Sequence, residues 1–253
     1  MIIIAHRAIN FIDPENSLPA FEWAMKRGYS IELDIYLTKD GIPVVSHDKS
    51  LDRLFDGKGI ITEMTLLELK KQSFKNNKKV KMPTFEEVCQ LYQKIKPKKF
   101  FFCIQIKDMY QKGVMEKTHE LVKKYSVPKE SFYFEVDNNT WPLVEWMKKN
   151  IPEMPVGLHL SETNKNYDEK SFKKTDIIWA DEIQKDWMNK KMVNLAHKCG
   201  KKIYAISAEL IPHSKNALFY RKRWKDMISY GFDGICTNHP EELEIILKAY
   251  KNL

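Results

Sequence analysis

The chain opens on short apolar runs that each finish in ionisable residues. Ile2-Ile3-Ile4-Ala5 runs into His6-Arg7, Ile31-Glu32-Leu33-Asp34 alternates apolar and acidic side chains, and Val44-Val45 leads through Ser46 to His47-Asp48. Apolar runs of strand length recur along all 253 residues, at 1–5, 29–35, 43–47, 99–106, 131–136, 155–160, 176–180, 202–207 and 233–237. Stretches of helical character lie between them at 17–27, 65–73, 84–95, 112–125, 140–149, 187–199 and 240–251. Strands alternating with helices predict parallel strands covered by helices. A chain of this length fits one α/β barrel of the TIM (β/α)8 type, residues 1–253, whose strand ends would carry the ionisable residues to one mouth.

Local signals support the element boundaries. Ser17 precedes Leu18, Phe21, Ala24 and Met25 at helical spacing, and Thr84 stands three residues before Glu87, the spacing of a capping box. Gly28 and Gly200 follow helical stretches, where a left-handed cap favours glycine. Nine strand-like runs are one too many for eight strands. The turn residues Thr38-Lys39-Asp40-Gly41 predict that 31–47 holds one strand and a hairpin return. Residues 49–83, with Gly57, Gly59 and Asn76-Asn77, read as an irregular connection carrying one helix near the mouth.

Hydrophobic residues make up 43% of the chain and charged residues 30%, the composition of an ordinary folded domain. The net charge of +8 is spread over scattered pairs such as Lys78-Lys79, Lys173-Lys174 and Lys190-Lys191. That distribution predicts a solvated basic surface compatible with a small anionic substrate, and no nucleic-acid interface. The four cysteines are far apart and form no CxxC pair, which argues against a zinc site or a disulfide framework. Cys103 and Cys236 sit in apolar runs as small core residues. The first strand begins almost at Met1, so no secretion signal is expected, and no apolar run approaches the roughly 18 residues a membrane span needs. The expected location is cytoplasmic. Oligomeric state is not written in the sequence.

Two histidines at strand ends, His6 and His47, can serve as an acid–base pair once the fold closes the 41 positions between them. Arg7 can hold two phosphate oxygens at once. Glu32 and Asp34, two apart in a strand, share one face, where two carboxylates repel unless a cation or basic side chain lies between them. Oxygen donors suit magnesium, calcium or manganese better than zinc. Gln105 and Lys107 share the same spacing, and Lys107 can neutralise a phosphate oxygen. Glu135, His159, Asp181, Glu182 and Ser207 also fall at strand ends, where a structural role is the commoner one. Asn238-His239-Pro240 reads as a strand-to-helix turn.

Taken together and in order, His6-Arg7, Pro14-Glu15-Asn16-Ser17, Glu32-Leu33-Asp34, Thr38-Lys39-Asp40-Gly41 and Val44-Val45-Ser46-His47-Asp48 resemble the signature of the glycerophosphodiester phosphodiesterase family. The likeness continues through Leu51-Asp52-Arg53, Gly57-Lys58-Gly59, Pro83-Thr84-Phe85-Glu86-Glu87 and Asp233-Gly234-Ile235-Cys236-Thr237-Asn238, and is loose over 110–200. The resemblance implies a distorted TIM barrel of the phospholipase-C-like type that cleaves a glycerophosphodiester to glycerol 3-phosphate and an alcohol with a divalent cation. It implies His6 and His47 as the acid–base pair, Arg7 and Lys107 as phosphate contacts, and Glu32 and Asp34 as metal ligands. The family's Ile-Glu-Ile-Lys reads Ile104-Gln105-Ile106-Lys107 here, so the third ligand would be an amide with one negative charge fewer, weakening binding unless Glu135 or Glu182 compensates. Ala8 replaces a glycine, and Tyr204-Ala205-Ile206-Ser207 replaces Trp-Thr-Val-Asn. Two alternatives follow from these departures: a related phosphodiesterase of lysophospholipids or glycerophosphate-bearing glycans, or a catalytically weakened protein that binds a phosphate ligand.

Overall fold

The structure is a computed structural model that describes residues 1–135, 141–163, 167–182, 186–206, 209 and 217–251. The candidate Ser207 lies outside the described residues. The chain folds into two compact units, one of Met1–Ala5 with Phe132–Leu253 and one of His6–Ser131.

The His6–Ser131 unit carries the early motifs. Helix α1 (Leu18–Arg27) starts where Ser17 Oγ accepts from Ala20 N and stops at Gly28, whose φ of 74° is open to glycine at little cost. Strand β2 (Ser30–Leu37) follows, buried along its whole length. Thr38 Oγ1 accepts from Ile42 N at 2.9 Å, and the chain returns as β3 (Pro43–Val45), antiparallel to β2. The surplus ninth run is therefore this hairpin return. Strand β4 (Phe102–Ile106) lies parallel to β2 with Asp34 opposite Gln105.

Between β3 and β4 the chain forms helix α2 (Leu66–Lys71), as the one-helix connection predicts, and then α3 (Phe85–Ile95). Thr84 and Glu87 close the expected capping box, with Glu87 N on Thr84 Oγ1 at 3.1 Å and Thr84 N on Glu87 Oε2 at 2.7 Å. A small core of Tyr36, Val44, Leu51, Phe55, Ile61, Leu69, Phe74 and Met82 gives this irregular connection its own apolar anchor. Helix α4 (Val114–Lys124) follows β4.

In the other unit β1 (Ile2–His6) runs parallel to β9 (Gly234–Thr237), Ile4 opposite Cys236; His6 itself falls in the first-described unit. Strands β6 (Gly157–Leu160), β7 (Ile177–Asp181), β8 (Lys202–Ile206) and β9 pair in that order, all parallel, as the alternation predicts. β5 (Phe132–Phe134) bridges in parallel to the start of this set through Tyr133 and Val156. Phe132, Phe134, Trp179 and Tyr204 pack ring against ring on one side of these strands. Leu158, Ile178, Ile203 and Ile235 on the other side meet the helices α5 (Trp141–Asn150), α6 (Glu169–Lys174), α7 (Lys190–Lys198), α8 (Ala217–Tyr230) and α9 (Pro240–Lys251).

Helices α6 and α8 are not among those the sequence pattern predicts. Helix α8 buries Tyr220, Arg223, Trp224 and Met227, a helical stripe whose second member is charged. Arg223 can be buried because Glu182, also buried, takes its Nη2 at 2.5 Å and its Nε at 3.2 Å. In α6 only Phe172 is buried, too little to mark a periodicity.

Candidate active site

All seven side chains singled out for chemistry belong to the His6–Ser131 unit, and most cluster around Asp34. Glu32 and Asp34 project from the same face of β2, 2% and 0% exposed. Arg7 N donates to Glu32 O at 3.1 Å, which lays the segment after β1 along β2 and puts His6 Nε2 3.8 Å from Glu32 Oε2. Arg7 Nε lies 3.8 Å from Asp34 Oδ2. The strand register puts Gln105 beside Asp34, and Lys107 Nζ reaches Gln105 Oε1 at 3.1 Å and Asp34 Oδ1 at 3.5 Å. The hairpin brings in His47, since Ser46 N donates to Asp34 O at 3.1 Å. Asp48 Oδ1 lies 2.7 Å from His47 Nδ1, so the neighbouring acid engages the ring itself.

Three residues that received no role from the sequence complete this set. Asn16 Nδ2 donates to Asp34 Oδ2 at 2.9 Å, while Asn16 N donates to Arg7 O at 2.9 Å. Its φ of 53° is a left-handed conformation that asparagine tolerates better than most residues. Glu15 accepts from Arg7 and from Arg53, and Arg53 also reaches Asp48. Ala8, at φ 52°, occupies the same left-handed region, which costs an alanine more than it would the glycine that the resemblance implies there.

The electrostatics separate the two central acids. Burial and the neighbouring Asp34 raise the Glu32 carboxyl well above the ordinary carboxylate range. Burial acts on Asp34 too, but Lys107, Arg7, His47 and the Asn16 hydrogen bond outweigh it and hold its carboxyl below that range. Burial lowers His47 below the usual imidazole range; Asp34 pulls the other way, and Lys107 and Arg7 add to the lowering. The shift favours the neutral imidazole.

The donor set suits a hard divalent cation. Glu32 and Asp34 offer carboxylate oxygens and Gln105 a carbonyl oxygen, a set of hard donors. Asp34 Oδ1 and Asn16 Oδ1 are buried with no hydrogen-bond partner among the described residues, and so is Arg7 Nε. A buried polar atom left unbonded costs about 1–3 kcal/mol, which a cation on Asn16 Oδ1 would remove, whereas Asp34 Oδ1 and Arg7 Nε already lie within ion-pair range of Lys107 and Asp34. Among the described residues no group of three or more His, Cys, Asp or Glu is placed to hold a metal.

The later strand-end candidates serve other partners. Glu182 Oε1 accepts from Trp187 N, Met188 N and Arg223, and its Oε2 from Arg223. His159 Nε2 pairs with Asp181 Oδ2 at 2.8 Å, and Glu135 is buried in the same unit. His239 stacks on Tyr220 at the start of α9, consistent with its reading as part of a turn.

The chain is similar to known phosphodiesterases. The glycerophosphoryl diester phosphodiesterase family matches residues 6–242. A glycerophosphodiester phosphodiesterase of Caldanaerobacter subterraneus subsp. tengcongensis is 34% identical over 165 residues, 62% of this chain and 65% of that protein. One of Bacillus altitudinis is 27% identical over 98% of this chain and 99% of its own length. An Oleispira antarctica phosphodiesterase, solved in complex with the product sn-glycerol-3-phosphate, superposes with a TM-score of 0.79 at 20% identity over 98% of this chain and 97% of that one. The likeness identifies the fold as TIM-barrel-like, as the strand–helix alternation predicts. Among the described residues no helix is long and apolar enough to cross a membrane.

Proposed function

Because the chain belongs to the glycerophosphoryl diester phosphodiesterase family, we propose that it hydrolyses a glycerophosphodiester to glycerol 3-phosphate and an alcohol, with His6 and His47 as the acid–base pair. The observation that carries this reading is the convergence of His47, Arg7, Lys107 and Asn16 on the Asp34 carboxylate, with His6 beside Glu32. A phosphodiester anion pairs with Arg7 and Lys107, the two cationic side chains beside Asp34. Neutral His47, its Nδ1 engaged by Asp48, has Nε2 left to take a proton from the attacking water. His6, 3.8 Å from the Glu32 carboxyl, enters the step protonated and gives that proton to the departing alkoxide, while His47 leaves it carrying the water's proton.

Glu32, Asp34 and Gln105 are the residues that would hold a divalent cation, magnesium or calcium before manganese on donor chemistry. When bound, such an ion polarises the phosphoryl group and neutralises charge that builds on its oxygens. The product complex of the Oleispira antarctica protein supports glycerol 3-phosphate as the phosphate-bearing half of the substrate.

The test is release of glycerol 3-phosphate from glycerophosphocholine, followed with and without a chelator. Release that stops on chelation and returns with magnesium or calcium supports both the activity and the cation. Unchanged release in chelator removes the cation, and no release from any glycerophosphodiester removes the activity.

A further inference from the structure

The site residues do not stand alone. Behind them lies one guanidinium that joins two otherwise separate arms. Arg53 Nη1 and Nη2 fork onto the two oxygens of Glu15 at 3.0 and 2.6 Å, while its Nε reaches Asp48 Oδ2 at 2.5 Å. Glu15 Oε1 also takes Arg7 Nη1 at 3.2 Å. Asp48 uses its other oxygen, Oδ1, on His47 Nδ1 at 2.7 Å. One arm therefore runs Arg53–Glu15–Arg7 and the other Arg53–Asp48–His47.

We propose that Arg53 is a positioning residue that sets the Arg7 guanidinium and the His47 imidazole together, a proposal that rests on the phosphate and proton-transfer roles read for those two residues above. Arg53 itself touches neither the reacting atoms nor the two buried acids. It acts through Glu15, whose Oε1 is shared between Arg53 and Arg7, and through Asp48, which gives Oδ2 to Arg53 and Oδ1 to His47.

Three features support that role. First, the guanidinium plane matches the job: its five donors lie in a fixed fork, so a bidentate grip on one carboxylate and a single bond to a second are made by one rigid group. A lysine ammonium is a point donor on a flexible stem and cannot reproduce that geometry. Second, the turn that carries Arg53 is fixed. Leu51 and Phe55 on either side are 0% and 2% exposed in the small core, and Phe55 N donates to Leu51 O at 2.9 Å. Third, Asp48 accepting from Nδ1 selects the tautomer of neutral His47 with the proton on Nδ1, leaving Nε2 as the acceptor. Arg53 holds the aspartate in place for that contact. The side chain of Arg53 remains 45% exposed, so its value lies in direction rather than in buried contact.

The two arms make separable predictions. Asp48→Asn loosens His47 and lowers kcat with little change in KM. Glu15→Gln loosens Arg7 and raises KM. Arg53→Ala disturbs both arms, and misplacing reacting groups by about 1 Å can cost on the order of 100-fold. Arg53→Lys, which keeps the charge and the stem, is measured in parallel. The experiment takes kcat and KM on glycerophosphocholine for these variants, with the 15N signals of the His47 ring above pH 8, where it is neutral.

The expected result for Arg53→Ala and Arg53→Lys is a combined loss of about 10- to 100-fold, shared between kcat and KM. It is accompanied by a change of the His47 ring signals from one tautomer to a mixture. Millimolar guanidinium should partly restore Arg53→Ala, since Arg53 and Glu15 line an open groove. Wild-type kcat, KM and tautomer in a folded Arg53→Lys protein would overturn the proposal. The ring signals also separate the two layers. If the wild type releases no glycerol 3-phosphate yet His47 changes tautomer on loss of Arg53, the function falls and the positioning stands. If the wild type is active and His47 is unmoved, the function stands and the positioning falls.

Discussion

Gln105 Oε1 accepts a hydrogen bond from Lys107 Nζ at 3.1 Å, so the amide at this position is already turned toward the cationic side chain that also faces Asp34. A carboxylate here would keep that contact and add a negative charge beside two buried acids. Gln105→Glu should therefore tighten binding of magnesium or calcium. A unit charge about 4 Å away contributes on the order of 4 kcal/mol at an effective dielectric near 20, and Lys107 offsets part of it. A gain of about 10- to 100-fold in affinity is the net expectation. Calorimetric titration of the two proteins with each cation measures it, and equal affinities would place Gln105 outside the cation's reach.

His6→Ala and His47→Ala should each keep the fold and lose about 100- to 10,000-fold in kcat, the usual contribution of a positioned acid or base. The histidines differ in what they hold. His47 is bonded to Asp48 just past β3, and His6, the last residue of β1, lies beside Glu32. Circular dichroism with steady-state kinetics makes the comparison, and near-normal turnover in either folded variant takes that residue out of the proton transfer.

Much of this site could be read from the sequence because its residues sit in strands or just past them, where local pattern fixes the facing. The two-residue spacing of Glu32 and Asp34 put both on one face of β2, and the turn at Thr38–Gly41 made β3 a hairpin return. The same reasoning put Gln105 and Lys107 on one side of β4, where they meet. What stayed hidden depends on contacts distant in sequence. Arg53 and Glu15 are 38 positions apart, and nothing in the spacing of either announces a bidentate pair. Helix α8 stayed hidden for a related reason: its stripe includes Arg223, which is apolar in behaviour only once Glu182 is opposite it.

The Arg53 clamp should also shape acid stability. Burial acts to raise the Asp48 carboxyl, but hydrogen bonds from Arg53 and His47 outweigh it and bring it from the ordinary 3.8 to about 2. A carboxyl depressed on folding stabilises the folded state above its unfolded value and loses that contribution as pH falls toward its folded value. The window here is about pH 4 down to 2. Glu15, lowered by Arg53 and Arg7 against its burial, acts in the same direction. Arg53→Gln should thus be less stable than the wild type near pH 6, by about 1 kcal/mol for partly exposed ion pairs. That gap should close toward pH 2. Urea midpoints at several pH values measure it, and a gap that is constant or widens on acidification would contradict the assignment.

Glu32 offers the sharpest separation of stability from cation binding. Its carboxyl is 2% exposed, raised by burial and by Asp34, while Asp34 is the acid that Lys107 and Arg7 keep ionised. In the cation-free protein at neutral pH, one acid of the pair therefore carries a cost that glutamine would not. Glu32→Gln keeps an oxygen to accept from Arg7 N, which lies 3.3 Å from Glu32 Oε2. In chelator the variant should melt higher than the wild type; ~1 kcal/mol corresponds to about 2–4 °C for a chain of this size. Cation should reverse the order. A bound ligand at about 100 times its Kd stabilises by about 2.7 kcal/mol, and the wild type should gain that while the variant, short of one carboxylate, gains little. Thermal melts with chelator and with excess magnesium or calcium, on both proteins, test the two halves together. A variant less stable in chelator would show that Glu32 is held by favourable contacts rather than waiting for an ion. An equal rise with cation in both proteins would remove Glu32 from the ligand set.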